Sequence, residues 1–495
     1  MKKFKISFIC LFLAAALLTG SAAIYNGSKG SEVFQNDTPY ITAENLALNC
    51  SENKKLTDGN VNTVYNSYTK GMKNIDIDLT KEKEFNSIVL KEQGLNIHSF
   101  SILISSDKEE YTTIYKGDKI EYHRLCTFDN VKARYVRVII ESADSFWALK
   151  EIEIYNQETV SSKDFKTVGY VLNSDFYEIM KNDDISDKHR AIGNMLNSYH
   201  ISGLTHINFY CGVGFDAQGN VFFGNDEKEN NMIKQETQYM IDCMREFGRD
   251  DLKITYVVGI GSNNENTNPA MADNQEKFIE NLISLCNELG IDGIDFDYEF
   301  PQSDYDYQVF DNFIVKLKQK MLTNMNCKDN CILSCAFGTM GVDYSKEAIE
   351  SLDIVNMMTY DIFDQDGEHS SFWSCAVQGA KYLESVGFSK EQINIGIPFY
   401  GTQTDALMEQ YIYKNADSFD YFDNYYTFPS YYDGSPTDVY FNSPAIVRDK
   451  TAYALLNGYG GIMVWHFACD TEYSSEYSLW KGAYSAIEQF GGEAR

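Results

Sequence analysis

Asp292-Gly293-Ile294-Asp295-Phe296-Asp297-Tyr298-Glu299-Phe300-Pro301 places four carboxylates within eight residues. From Ile294 to Glu299 apolar and acidic residues alternate strictly. That is the period of a β-strand, whose side chains point to opposite faces in turn. Asp295, Asp297 and Glu299 therefore share one face, and Ile294, Phe296 and Tyr298 the other. Like charges this close cannot all ionise freely, so at least one carboxyl should hold its proton above the usual range. Such a column suits acid–base chemistry and is costly as plain structure. A calcium loop of the EF-hand type needs Gly at its sixth position and a bidentate Glu at its twelfth, and this run has neither. A solvated edge strand would not carry large apolar residues on its alternate face.

Strand-like apolar runs recur on both sides of this stretch, alternating with helical ones from Phe165 onward. They fall at 167–171, 204–209, 252–258, 291–298, 332–336, 354–358, 393–397 and 461–465. Eight such units predict an α/β fold, a parallel (β/α)8 TIM barrel over residues 165–490. A doubly wound open sheet is the alternative, but its glycine-rich nucleotide signature is missing. In a barrel the chemistry sits at the C-terminal ends of the strands. Asp297 and Glu299 close the fourth run, where it is expected.

The chain ahead of the barrel has a different texture. Residues 40–156 hold short alternating runs divided by turn signals, such as Asn74-Ile75-Asp76-Ile77-Asp78-Leu79 and Ser99-Phe100-Ser101-Ile102-Leu103-Ile104. They predict an all-β sandwich of jelly-roll form. Residues 24–39 and 156–164 are polar and read as linkers. The N-terminus carries Lys2-Lys3, an apolar stretch over 6–18 and Thr19-Gly20-Ser21-Ala22-Ala23. Residues 1–23 are thus expected to be a signal peptide, which leaves a secreted protein without a membrane anchor.

Composition narrows the partners. The 495 residues include 35 Tyr and carry a net charge of −30. That charge argues against nucleic acid, whose phosphates need basic patches, and against anionic membrane surfaces. A neutral ligand such as carbohydrate fits better, and a monomer is expected. Export permits disulfides, and Cys327 and Cys331 flank a turn-like segment at a spacing that allows pairing. Cys211, Cys335 and Cys375 lie in apolar runs and read as buried thiols. The seven His are scattered and match no zinc spacing. His206 and His466 are read as structural.

The run Asp292–Glu299 resembles the D-x-x-D-x-D-x-E signature of family-18 glycoside hydrolases, the family of many chitinases, at every fixed position. Further motifs follow in the same order as in that family. Gly169-Tyr170 resembles its first strand and Met358-Thr359-Tyr360-Asp361 its sixth. Gly396-Ile397-Pro398-Phe399-Tyr400-Gly401 resembles the seventh, and Gly460-Gly461-Ile462-Met463-Val464-Trp465 the eighth. Two positions depart. The family's S-x-G-G at strand three reads Gly259-Ile260-Gly261-Ser262, so support for Asp295 is either missing or comes from Ser262. Thr402 stands where chitinases often have Arg. The segment 402–459 is long enough for an insertion beside the cleft, and its aromatic run 419–432 is a candidate for setting substrate length.

The resemblance implies substrate-assisted, retaining hydrolysis of β-1,4 bonds after N-acetylglucosamine, with no cofactor. Glu299 would be the acid and base, Asp297 would hold the substrate's acetamido group, and Asp295 would sit behind it. Tyr360 would donate to the acetamido oxygen. Asp361, Met358, Tyr400 and Tyr170 would line or support the same subsite, and Trp465 would lie beneath the sugar. Related alternatives are an endo-β-N-acetylglucosaminidase acting on N-glycans, or a non-catalytic lectin. Lectins of this kind usually lack the acid, whereas Glu299 is present. The N-terminal module resembles discoidin-like, coagulation-factor C-type sandwiches through Leu56-Thr57-Asp58-Gly59, Ala133-Arg134-Tyr135-Val136-Arg137-Val138 and Leu149-Lys150-Glu151-Ile152-Glu153-Ile154-Tyr155. That likeness implies carbohydrate binding, with Trp147 as the expected contact, and a structural calcium near Asp58 and Glu151.

Overall fold

The computed structural model describes residues 43–491, apart from 69, 71, 263, 328–329, 340, 363–372, 402–419 and 430–433. The expected signal peptide and first linker, Cys10 and Thr402 lie outside the described residues.

Six antiparallel strands come first, β1 (Tyr65–Ser67), β2 (Lys73–Glu92), β3 (Ile97–Ser105), β4 (Thr112–Gly117), β5 (His123–Ala143) and β6 (Trp147–Tyr155), in the order β1-β6-β2-β5-β3-β4. The long strands β2 and β5 pair along both halves and shift register between Asp78 and Lys83 and again between Phe85 and Ser87. Such bulges bend a sheet. The second half of β2 also pairs outward to β6, and the second half of β5 to β3. The two halves close on a shared core that includes Ile77, Phe85, Leu90, Phe100, Val136 and Trp147.

The barrel strands are β7 (Lys166–Leu172), β8 (His206–Tyr210), β11 (Lys253–Gly261), β12 (Gly293–Glu299), β13 (Ile332–Phe337), β14 (Ile354–Met357), β15 (Ile393–Pro398) and β18 (Gly461–Trp465). Two small hairpins interrupt the series, β9 (Gly214–Phe215) with β10 (Val221–Phe222) and β16 (Tyr425–Pro429) with β17 (Pro436–Tyr440). All eight barrel strands pair in parallel and the ring closes through β18, β7 and β8. A helix follows each strand: α1 (Ile185–Ser198), α2 (Glu227–Phe247), α3 (Gln275–Leu289), α4 (Asp304–Asn324), α5 (Lys346–Ser351), α6 (Trp373–Val386), α7 (Pro444–Leu456) and α8 (Leu479–Phe490). Polar residues at the loop ends cap them. Asp184, Asp226, Ser303, Ser345, Ser443 and Ser478 each accept a backbone N–H of the first turn. The outer face of β12 packs on α4, with Phe296 edge-on to Phe310 and Phe313.

Helix α7 is buried on all sides, including Arg448, Asp449 and Lys450. It packs on β15, β18, α6 and α8 of the barrel and also on β5 of the sandwich. Residues 123–127 of β5 pair with β2 alone, which leaves one strand edge open. Asp449 closes it, accepting the Thr127 N–H at 2.8 Å and the Thr127 hydroxyl at 2.7 Å. The second Asp449 oxygen accepts Tyr115 Oη at 2.5 Å and lies 3.6 Å from the buried Arg124 guanidinium, which itself donates to Tyr115 Oη. Arg448 reaches Asp129, and Gln489 of α8 donates to the Phe128 carbonyl. The segment before β16 fastens to the sandwich too. Asp420 pairs with Lys116 at 2.7 Å and the Phe422 ring meets Tyr115 edge-on at 5.4 Å. Part of the aromatic run considered for setting substrate length thus faces the sandwich.

One expectation from sequence is corrected here, and one pairing that the sequence left open is decided. Trp147 is fully buried in the sandwich core beside Tyr65, so it has no face to offer a ligand. Cys327 and Cys331 form no disulfide. The ten described cysteines are all thiols, and the Cys327 thiol donates to the Asp292 carbonyl.

Asp449→Ala leaves the Arg124 charge buried and reopens the β5 edge. A loss of about 3–5 kcal/mol in unfolding free energy is expected, the usual cost of breaking a buried pair by removing one partner. Urea denaturation followed by tryptophan fluorescence measures it.

Candidate active site

Strand β12 rises from the base of the barrel to its rim, and its inward residues are met by different neighbours at each level. Asp292 lies at the base, outside the column. It accepts the Ile254 N–H and pairs with Arg245 and Lys253. Asp295 is fully buried. It accepts Tyr170 Oη from β7 at 2.6 Å, Ser334 Oγ from β13, and Asn356 Nδ2 from β14 at 3.4 Å. Asn356 accepts in turn from Asn394 Nδ2 on β15 at 3.0 Å. Burial pushes the Asp295 carboxyl up to about 6, and the three donors restrain the rise.

One layer higher, Asp297 is 6% exposed and has no such set of donors. Its Oδ1 is buried without a hydrogen-bond partner. Burial, then the charges of Glu299 and Asp295, hold its carboxyl well above the ordinary range. A hydrogen bond joins Asp297 to Glu299, so the two titrate as a pair. Glu299 stands half-buried at the rim. Burial and then the Asp361 charge raise its carboxyl, against the opposing pull of the Asp297 bond. The peptide bonds Glu299–Phe300 and Trp465–His466 are cis.

Aromatic side chains surround the column. Tyr360 is held well above the usual phenol range, by burial first and then by the charges of Asp297, Glu299, Asp361 and Asp295. Its ring meets Tyr400 edge-on at 6.0 Å, and Tyr400 Oη donates to Asp361 at 2.6 Å. Trp465 is half-buried, with its ring 5.3 Å from Tyr170 and 6.2 Å from Tyr210. Met358 packs in the same cluster as Tyr170, Tyr210, Tyr360 and Trp465. Closure of the barrel thus gathers Tyr170, Asp295, Asp297, Glu299, Met358, Tyr360, Asp361, Tyr400 and Trp465 at one end. A buried column whose rim carboxyl is raised by burial and hydrogen-bonded to its neighbour can protonate a leaving oxygen and later accept a proton from water.

Sequence reasoning missed Ser334, Asn356 and Tyr210. Ser262, considered as the support for Asp295, is exposed in the turn after β11, and Ser334 supplies that bond instead. The signal was a polar residue inside an otherwise apolar run. Ser334 faces Asp295 in register, and Asn356 sits midway along β14.

Asp58 and Glu151 are far along the chain from this site, in the sandwich, and lie against each other. Both accept the Asn60 N–H, at 2.9 Å each. Glu151 Oε2 is buried without a partner, and burial together with the Asp58 bond pushes its carboxyl up to about 7. The unpartnered Glu151 oxygen beside the Asp58 carboxyl is of the hard-oxygen type that calcium takes, and the two side chains would supply only part of its six to eight ligands.

The family model of glycosyl hydrolases family 18 matches residues 166–470, more than half of the chain. That of the F5/8 type C domain matches residues 41–152. A chitinase from Bacteroides thetaiotaomicron is 20% identical, over 67% of this chain and 99% of its own, with a TM-score of 0.51, and shares the fold. The GH18 chitinase ChiB of Flavobacterium johnsoniae is 21% identical over 65% of this chain and 93% of its own, with a TM-score of 0.49. The probable chitinase LysM11 of Penicillium expansum is 26% identical over 147 residues, which are 27% of this chain and 12% of that protein. The chain therefore belongs to glycosyl hydrolase family 18, its barrel preceded by an F5/8 type C domain.

Proposed function

We propose that the protein is a secreted glycoside hydrolase that cleaves β-1,4 bonds after N-acetylglucosamine in chitin or chito-oligosaccharides. The observation that carries this reading is the graded acid column, with Asp295 locked, Asp297 bearing a buried unpartnered oxygen, and Glu299 at the rim, its carboxyl raised above the ordinary range by burial and the Asp361 charge. A sugar would rest on Trp465 with its glycosidic oxygen at Glu299, which gives up its proton to the leaving group. The acetamido oxygen of the same sugar would attack the anomeric carbon. Asp297 would orient the acetamido N–H through its free Oδ1, and Tyr360 would donate to the acetamido oxygen. Water activated by Glu299 would then open the ring formed, so no carboxylate of the protein bonds to the sugar. In the sandwich, carbohydrate contact falls to the exposed pair Tyr68 and Phe146, 5.3 Å apart.

Hydrolysis of chitotetraose and of a high-mannose glycoprotein, run side by side, tests the assignment. Chitotetraose should be cut, and Glu299→Gln should lower kcat by about 100- to 10,000-fold, the range for general acid–base catalysis. Release of glycan alone would make the protein an endo-β-N-acetylglucosaminidase. Binding of sugar without cleavage would make it a lectin.

The pH profile has a defined sign. Glu299 must be protonated at the start, and the Asp361 charge raises its carboxyl. Removing that charge favours the ionised form of Glu299 at lower pH. Asp361→Asn should therefore move the alkaline limb of kcat towards lower pH. A limb that stays in place would exclude Asp361 as the cause.

Asp58 and Glu151 are proposed to hold a structural calcium ion. Calcium at about 100 times its dissociation constant should stabilise the protein by about 2.7 kcal/mol. Glu151→Gln should abolish the shift, read as the thermal midpoint with and without chelator.

A further inference from the structure

A cavity of about 620 Å³ lies at the base of the barrel, where β7, β8 and β11 begin and the end of α8 passes, at the end opposite Glu299. That is room for a small organic ligand. None of its lining residues belongs to the acid column. One wall is aromatic. The His200 ring lies flat on Tyr473, with centroids 3.9 Å apart and planes 6° apart, and Tyr484 of α8 stands edge-on to both, at 5.0 and 6.1 Å. Two positions build this wall. His200 stands just past the end of α1 with a φ of 63°, where glycine is the usual residue. Gly203 makes the room, since a Cβ there would overlap Tyr484 Oη and come within 2.6 Å of His200 Cδ2. Burial holds the His200 imidazole below its usual range, so the wall is uncharged at neutral pH. Tyr473 is half-buried, and the part of its ring that His200 leaves uncovered meets the cavity. The rest of the lining is mostly polar. Arg249 forks onto Asp251, with Nη2 3.0 Å from Oδ2, and Asp250 and Glu488 are exposed at the rim.

We propose that this cavity is a second carbohydrate site, which holds an N-acetylglucosamine oligosaccharide by stacking on Tyr473 and by hydroxyl bonds to Arg249, Asp250 and Glu488. The lining selects by charge. Three carboxylates repel an anion, and Arg249 beside them opposes a cation. A neutral ring with an apolar face and hydroxyls around its edge matches both halves of the lining. Its face lies on the aromatic wall, its hydroxyls donate to the carboxylates, and the guanidinium donates to its oxygens. The choice of sugar rests on the N-acetylglucosamine reading of the acid column. A polymer gripped at the base as well as at the mouth is retained between encounters with the acids, because the second contact becomes intramolecular.

The test is calorimetric titration of chitotetraose into the full chain in a Glu299→Gln background, where the ligand is bound without turnover. Adding Tyr473→Ala should remove one bound ligand per chain. Asp250→Asn and Glu488→Gln change only exposed side chains, and each should weaken that same binding event roughly two- to ten-fold, the worth of one net hydrogen bond. With Glu299 intact, Tyr473→Ala should leave hydrolysis of chitotetraose unchanged to within about two-fold, as for distant independent sites. An unchanged number of bound ligands in a folded Tyr473→Ala protein would overturn the site. If that variant does not fold, unchanged affinity in both rim variants would overturn it. A loss of chitotetraose hydrolysis in folded Tyr473→Ala would place the residue in service of the cleft and overturn the site as well. A chain with Glu299 intact that cuts no chitotetraose would sink the substrate reading alone, because the titration still decides the base site.

Discussion

Everything at the barrel mouth depends on keeping Asp295 inside the barrel. A carboxyl with no exposure is costly unless its oxygens are met. Here the donors come from three other strands, β7, β13 and β14, through Tyr170, Ser334 and Asn356. No local segment could supply them, so the acid is stable only in the closed ring. The same rise along β12 then divides the labour among like residues. Asp295 is saturated with donors, Asp297 is buried but keeps an oxygen without a partner, and only Glu299 reaches the rim. Three carboxyls in one alternating strand acquire three different protonation tendencies from depth and neighbours alone.

A second constraint ties the sandwich to the barrel. Helix α7 has no solvent-facing side, because the sandwich covers what would be its outer face. Asp449 is the pivot of that cover. It satisfies the open edge of β5 and compensates the buried Arg124 in one step. An unpaired strand edge is a liability that many proteins cover with a helix or loop. Here a side chain of the barrel does it. The sandwich is thus part of the barrel's packing as well as a module in its own right.

Much of this was legible in the order of residues. The alternation of 294–299 set the inner and outer faces of β12, and both faces stand as read. The eight apolar runs became the eight strands, since buried parallel strands need near-continuous apolar sequence. Trp147 was misread because an aromatic near a strand end looks alike whether it turns to the core or to solvent. It turned inward, and Tyr68 and Phe146 took the surface. Ser334 was passed over because one hydroxyl in an apolar run carries no sign of its partner, which is 39 residues away along the chain.

The sequence by itself determined periodicity, and with it which elements form, in what order, and which acids share a face. These follow from local rules of pleat and burial, and they hold wherever the chain finally packs. The tertiary structure alone decided what each side chain meets. Tyr484 over Gly203, Asp449 against β5 and the donors around Asp295 each join residues from separate elements. Such contacts depend on barrel closure and strand register, and a linear pattern of apolar and polar residues does not encode them directly.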